Sequence, residues 1–324
     1  MYSTSQLLTI VKDLFDQESF LSEPQGLYAP IDYTLRLGGK RIRPVLLLAA
    51  NQLFGGDVSQ SGHAAVAIEV FHNFTLLHDD LMDRSPLRRG QPTVYRKWNE
   101  NTAILSGDTM FALAWRYLLS QPHPNIQTIL QCFCDTAIGV CEGQQMDMDF
   151  EQRGDVTETE YIEMIRLKTA VLLSGALRIG AMLANAPEPG VNALDQYGTH
   201  LGLAFQLQDD LLDAYGDVTT FGKQTRQDIR DNKKTMMYIA AMRQASIQQQ
   251  QRLTELYADA SIDPESKVSE VMAIYDAVGV RTAVENMIQE HFEQASRALD
   301  AIDEPSDRKQ PLVEIMRMLL NRKS

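Results

Sequence analysis

The chain has 324 residues, 44% of them hydrophobic and 23% charged, the composition of a globular protein long enough to bury a sizeable core. Its formal net charge of −13 argues against a nucleic-acid binder working through a basic surface. The longest aliphatic runs, such as Val45 to Ala50, are far too short to span a bilayer.

At the N-terminus, Met1 to Asp16 lacks the basic start and long apolar stretch of a signal peptide, and a cytoplasmic protein is expected. Apolar residues recur at three- and four-residue spacing almost throughout, beginning with Leu7, Ile10, Val11 and Leu14. Alternating β-branched strands are absent, so the pattern predicts an all-α chain. The run Gly38-Gly39-Lys40-Arg41-Ile42-Arg43-Pro44 concentrates positive charge in an acidic protein. After a break at Phe54 to Gly62, the stripe Ala67, Val70, Phe71, Phe74 and Leu77 leads into Asp79-Asp80-Leu81-Met82-Asp83, followed by Arg84, Arg88 and Arg89. A second break falls at Gln121 to Asn125. Cys132, Cys134 and Cys141 are an odd number, close together and without histidines at metal-ligand spacing. They read as small buried residues in a reducing compartment.

Thr157 with Glu160 makes a capping box that predicts a helix over Tyr161 to Ala184, with Lys168 and Thr169 inside it. A break at Ala186 to Asn192 precedes Leu201, Leu203, Ala204, Phe205 and Gln206, then Asp209-Asp210-Leu211-Leu212-Asp213. The segment Gly216 to Lys234, rich in Gly, Asp, Thr and Lys, reads as an exposed loop able to close as a lid. Further breaks fall at Asp263-Pro264 and Glu304-Pro305. With no long Pro/Ser-rich linker, the expectation is one all-helical domain over residues 1–324, with ten or more helices.

The two aspartate pentads carry most of the functional information. On a helix, residues four apart lie one above the other, so the first and last Asp of each pentad share a face. Three carboxylates in about one turn repel one another unless cations neutralise them. Both pentads sit beside strongly apolar sequence, which predicts a site for several hard divalent cations, most naturally magnesium holding a phosphorylated ligand. The pentads are expected on two bundle helices facing each other across a cavity. Carboxylates repel a diphosphate and must act through the metal, so Asp79, Asp83 and Asp209 are the expected main ligands. Asp80, Asp210 and Asp213 are ligands, water-mediated partners or orienters of Arg and Lys.

Taken in order, Gly38 to Pro44, the first pentad with Arg88-Arg89-Gly90, Lys168-Thr169, Gln206 with the second pentad, Gly222-Lys223 and Asp231-Asn232-Lys233 resemble the trans-isoprenyl diphosphate synthases. The resemblance implies an all-α bundle around a deep apolar cavity, usually a homodimer. It implies condensation of isopentenyl diphosphate head-to-tail with dimethylallyl, geranyl or farnesyl diphosphate, with about three magnesium ions on the allylic side. It also implies that Arg88, Lys168, Lys223 and Lys233 hold the allylic diphosphate, with Thr169 and Gln206 beside the carbocation. Lys40, Arg43, His72 and Arg89 would hold isopentenyl diphosphate, which carries no metal and needs a dense set of donors. Asp79, Asp80, Asp83, Asp209, Asp210, Lys168, Thr169, Gln206 and Lys223 make up the implied catalytic set. Gln144 and Asp147 are further candidates to line the site, and Arg322 and Lys323 to reach it on closure.

The residue five before Asp79 lies roughly 7–8 Å further along the helix. It is Phe74, with Thr75 and Phe71 at minus four and minus eight. In the family pattern one aromatic at minus five, without an inserted pentad, implies a twenty-carbon, geranylgeranyl-type product; farnesyl and longer products are the alternatives. The helical wheel leaves the floor open, because at ~100° per residue Phe74 stands about 140° from Asp79 while Thr75 and Phe71 stand nearer its face. A class I terpene cyclase would not need Lys40, Arg43 and Arg89. A non-catalytic synthase subunit would have lost a pentad or the basic cluster, and both are present.

Overall fold

The structure, a computed structural model, describes residues 1–216, 225–259 and 261–320. It is helical almost throughout and divides into two compact units. The first comprises Met1–Cys134, Gly175–Leu194 and Asp303–Ile315; the second comprises Asp135–Ser174, Asp195–Ile302 and the residues from Met316 onward.

In the first unit a Ser3/Gln6 capping box opens α1 (Thr4–Gln17), which buries Leu7, Val11 and Phe15 on one face. It is followed by α2 (Gln25–Arg36), α3 (Ile42–Leu53), a 3₁₀ turn (Val58–Ser61) and α4 (Gly62–Met82). Every residue of α3 from Pro44 to Leu53 is buried, as is every residue of α4 from Ala64 to Phe71. A helix apolar on all sides belongs at the centre of a core. Accordingly α4 packs against α1, α2 and α3, and against α5 (Val94–Lys97) and α6 (Glu100–Leu119).

Between α4 and α5 a short hairpin pairs β1 (Leu87–Arg88) with β2 (Gln91–Pro92), a departure from the strand-free expectation. Its two loop residues, Arg89 and Gly90, have φ of 54° and 74°. Positive φ at both loop positions is the geometry that matches the strand twist in a two-residue hairpin, and glycine supplies it without steric cost.

The helix α7 (Ile126–Glu151) leads into the second unit. There the predicted Thr157/Glu160 capping box is formed and starts α8 (Glu158–Ile165). A π-helical turn (Arg166–Ala170) then joins α8 to α9 (Val171–Leu183), where the sequence predicted one uninterrupted helix. The helix α10 (Glu188–Tyr215) begins inside the expected break at Ala186 to Asn192. Pro189 sits in its first turn, where an N–H has no intrahelical partner to lose. There follow α11 (Gln227–Arg230), α12 (Met236–Gln244), α13 (Ile247–Ala258), α14 (Pro264–Val278), α15 (Val280–Asp300) and α16 (Ser306–Leu320). The core of this unit is α12, buried from Met236 to Ala241 and packed against α8, α13, α14 and α15. No helix among the described residues is long and apolar enough to cross a membrane. Cys132 is buried as expected, but Cys134 is only half-buried and Cys141 is exposed.

A histidine pair joins α10 to α15. The Nδ1 atoms of His200 and His291 are 3.1 Å apart, so one ring donates and the other accepts. Burial lowers both pKa values, and for His291 the neighbouring His200 adds to the effect. The folded protein therefore binds fewer protons here than the unfolded chain does. The stabilisation is present above the ordinary histidine value of about 6.5 and is lost as the pH falls through the lower folded values. Thermal melts should show a decline below about pH 6.5 that His200→Gln flattens. An unchanged slope in the variant would remove the pair as its cause.

Candidate active site

The basic cluster is built by the Gly38-Gly39 loop, the start of α3, the middle of α4 and the hairpin, all within the first unit. Gly38 and Gly39 have φ of 79° and 134°, and a Cβ on Gly39 would stand 2.6 Å from the Arg89 guanidinium. Arg89 Nη1 in turn donates to the Gly38 carbonyl. The φ of Gly39 favours glycine, and any side chain there would also push the Arg89 guanidinium aside. Lys40 is exposed at the end of this loop.

Arg43, in the first turn of α3, directs Nη1 to His72 Nε2 at 3.0 Å, while its Nε is buried and has no hydrogen-bond partner among the described residues. Burial pushes the Arg43 pKa down to about 10, although Glu69 opposes the shift. Burial also holds the His72 pKa well below its usual value, reinforced by Arg43, Arg89, Arg88 and Arg41. The His72 ring is therefore neutral, and its Nε2 accepts from Arg43. A buried donor without an acceptor, in a cluster of cations, is chemistry suited to an anion carrying several oxygens.

The first pentad ends α4. Asp83 N–H donates to the Asp79 carbonyl at 2.8 Å, so the two side chains share a face one turn apart. They stand at the negative end of the helix dipole, where carboxylates are unfavourable without a cation. Asp79 is half-buried and Asp83 exposed. Asp80 differs from both. It is buried and accepts from Arg88, from Nε at 2.9 Å on both oxygens and from Nη2 at 2.7 Å. Asp80 thus holds the Arg88 guanidinium in place.

In the second unit a cavity of about 120 Å³ is lined by Asp147, Tyr161, Lys168, Gln206, Asp228 and Lys233 among others. Lys168 and Thr169 lie on the π-helical turn. That turn is clamped by two glycines: a Cβ on Gly143 of α7 would stand 2.3 Å from the Lys168 amide nitrogen, and one on Gly202 of α10 would stand 2.4 Å from Ala170 Cα. So held, Lys168 Nζ reaches Asp147 Oδ2 at 2.6 Å. Thr169 Oγ1 donates to Gln206 Oε1 at 2.9 Å, and Gln206 Nε2 donates to Asp210 Oδ1 at 3.1 Å. Tyr161 Oη closes the chain by donating to Asp210 Oδ2 at 2.5 Å. Burial pushes the Asp210 pKa up to about 7 against these hydrogen bonds. Gln144 stands one turn before Asp147 on α7, half-buried.

The second pentad occupies the last two turns of α10. Asp209 is half-buried, whereas Asp210 is buried and engaged as described. Asp213 accepts from the backbone N–H groups of Gln227 and Asp228, both at 3.1 Å, and so ties the start of α11 to the end of α10. Thr225 and Ile229 are buried, so the described part of the Gly216 to Lys234 segment is anchored, not the exposed loop expected. Burial raises the Asp213 pKa, and raises that of Asp228 well above the usual carboxylate range with Asp213 adding to it. Lys233 is half-buried. Lys223, Gly222, Arg322 and Lys323 lie outside the described residues.

Below the first pentad the rings form a continuous cluster. Phe71 is fully buried and lies 5.5 Å from Phe74, centroid to centroid. Phe74 rests between His78 at 4.8 Å and Phe111 at 5.4 Å, and Trp115 stacks edge-on to Phe133 at 5.0 Å. Thr75 is half-buried, and its hydroxyl donates to the His72 carbonyl. Sequence reasoning missed Phe111 and Trp115 on α6. It also missed Asn73 and Glu69 on α4, and Tyr161 and Asp228 in the second unit.

A model of the polyprenyl synthetase family matches residues 24–300. The chain belongs to that family. It is 36% identical over 300 residues to a short chain isoprenyl diphosphate synthase of Methanothermobacter thermautotrophicus, covering 92% of this chain and 91% of the relative. It is 39% identical over 302 residues to a geranylgeranyl pyrophosphate synthase of Geoglobus acetivorans, covering 93% and 92%. Among solved structures, a geranylgeranyl pyrophosphate synthase superimposes with a TM-score of 0.94 at 39% identity and full coverage of both chains.

Proposed function

We propose that the chain is a trans-prenyltransferase that condenses isopentenyl diphosphate with an allylic diphosphate to give geranylgeranyl diphosphate. The observation that carries this reading is the basic cluster of Arg43, His72, Arg88 and Arg89 beside the first pentad in one unit. A terpene cyclase has no second, metal-free diphosphate to hold. The polyprenyl synthetase match runs through both units, which supports reading residues 1–324 as one catalytic domain.

In this reading Asp79, Asp83 and Asp209 hold magnesium. Among the described residues no three His, Cys, Asp or Glu side chains converge into a ready metal cage. Magnesium fits such a donor set, because it takes one or two carboxylates and completes its shell with phosphate oxygens and water. When bound with the allylic diphosphate it supplies the concentrated positive charge that the departing anion requires. Lys168 and Lys233 neutralise that anion further. Thr169 and Gln206 present neutral dipoles to the carbocation and cannot capture it. Arg88, aimed by Asp80, binds the allylic diphosphate, while Lys40, Arg43, His72 and Arg89 bind isopentenyl diphosphate. A homodimer belongs to the same reading, supported by the exposed Ile104, Leu105 and Leu119 on α6.

The twenty-carbon product is supported by relatives named geranylgeranyl synthases and by the Phe74 ring, which Phe111 and His78 fix in place. A geranylfarnesyl diphosphate synthase of Natronomonas pharaonis at 37% identity keeps a longer chain as the second, less favoured reading. Incubation with magnesium, labelled isopentenyl diphosphate and farnesyl diphosphate should give a twenty-carbon product. No incorporation with any allylic primer would defeat the proposal. Phe74→Ala should shift the product distribution to longer chains, and Phe111→Ala should do the same by removing the ring that supports Phe74. An unchanged distribution by chromatography would reject the aromatic floor.

A further inference from the structure

The buried carboxylate of Glu69 lies in the middle of α4, surrounded by apolar residues, and is 2% exposed. An isolated ionised carboxyl in such a place costs several kcal/mol unless it is paired and hydrogen-bonded. Here Arg41 Nη1 donates to its Oε1 at 2.7 Å and Asn73 Nδ2 donates to the same oxygen at 3.0 Å. The Arg41 guanidinium is fixed from two other sides. Its Nη2 donates to the Leu35 carbonyl near the end of α2, and its face covers the Phe15 ring of α1 at 4.3 Å. Arg41 itself has φ of 48°, a left-handed conformation uncommon for a side chain of this size.

These contacts give Arg41 a different task from its neighbours in the basic run. Lys40 and Arg43 flank it in the chain, and its side chain is spent on joining α1, α2 and α4. We infer that Glu69 is a positioning residue for the metal-free diphosphate pocket: through Arg41 it fixes the Gly38-Gly39 loop against α4, and so sets where Lys40 and Arg43 stand relative to His72 and Arg89. This rests on the function proposed above. Convergence of several donors on one diphosphate depends on position, and a shift of about 1 Å can cost as much as 10²-fold. Glu69 acts through the place of its carboxyl oxygen, because one oxygen takes both hydrogen bonds.

Glu69→Ala should raise KM for isopentenyl diphosphate about tenfold, leaving kcat and KM for the allylic diphosphate within about twofold. Glu69→Gln keeps an oxygen in the same place without the charge and should restore most of the loss. Calorimetric binding of inorganic diphosphate in the absence of magnesium should weaken in parallel in Glu69→Ala, since the carboxylate-rich sites offer no competing affinity without metal. Should Glu69→Ala not fold, Glu69→Asp withdraws the oxygen by one methylene and should give a smaller loss in the same two measurements. The inference is overturned by diphosphate binding that is unchanged or tighter, by Glu69→Gln behaving like Glu69→Ala, or by the KM for the allylic diphosphate rising as much as that for isopentenyl diphosphate. Absence of incorporation by the unmodified protein would defeat the proposed function alone, and the diphosphate titrations would still decide the role of Glu69.

Discussion

Asp79→Asn and Asp209→Asn should each lower the rate of condensation by about 10³-fold, while Asp79→Asn leaves the stability of the metal-free protein nearly unchanged. A large loss of activity at nearly unchanged stability distinguishes a ligand from a structural residue. Asp79 lies one turn before the end of α4, with Asp83 on the same face. Removing its charge relieves repulsion from Asp83 and from the helix dipole, about 0.3–1 kcal/mol, but gives up the attraction of Asp79 to Arg88, so the two largely offset. Asp80→Ala in the same pentad should behave differently. It removes the carboxylate that orients the Arg88 guanidinium, and with Arg88 30% exposed the lost charged hydrogen bonds cost about 1.5–3 kcal/mol. Thermal melts without magnesium would register the contrast, and radiolabel incorporation would register the activity. Retained turnover in Asp79→Asn or Asp209→Asn would end the metal assignment. A large loss of stability in Asp79→Asn would show that its carboxylate serves the fold.

Gly143→Ala should be both less stable and about 10²-fold less active, although alanine is the better helix former. In a helix interior the exchange ordinarily gains about 1 kcal/mol. At Gly143 the new methyl would stand 2.3 Å from the Lys168 nitrogen and 2.7 Å from Lys168 Cα, both backbone atoms that cannot swing aside. Separating the elements costs about 1–3 kcal/mol, enough to reverse the sign. It also displaces Lys168 from Asp147, and with it the Thr169–Gln206–Asp210 hydrogen-bond chain. Gly26→Ala in α2 is the control, because none of the described residues lies within 4 Å of the added methyl and that variant should gain stability. If Gly143→Ala gained stability as well, close backbone packing would not be what holds the π-helical turn.

The helices were legible in the sequence because their apolar spacing and caps are local properties. The Thr157/Glu160 box is an example, formed in the structure as read. Both pentads were legible as helix-borne carboxylates for the same reason. Their internal division of labour was not. That Asp80 holds Arg88 while Asp213 accepts from the α11 backbone depends on where the hairpin and α11 return in space. Glu69 did leave a trace, as the lone acid in Ala64 to Phe71, but its partner Arg41 lies 28 residues away. Phe111 and Trp115 read as ordinary core aromatics until α6 is known to pack on α4. The π-helical turn left no mark, since Arg166 to Ala170 suits a regular helix by composition.

That turn carries one residue more than a regular helix needs over the same stretch. Deleting any one residue between Arg166 and Ala170 would restore an unbroken α-helical ladder from α8 into α9. It would leave the flanking helices in nearly the same phase, because the π-turn closes one revolution with the extra residue in it, but it would redistribute the side chains within the turn. Lys168 could then no longer point at Asp147 while Thr169 meets Gln206. The segment should therefore accept many changes of residue identity and reject every change of length. A deletion there would give a protein that folds well and does nothing.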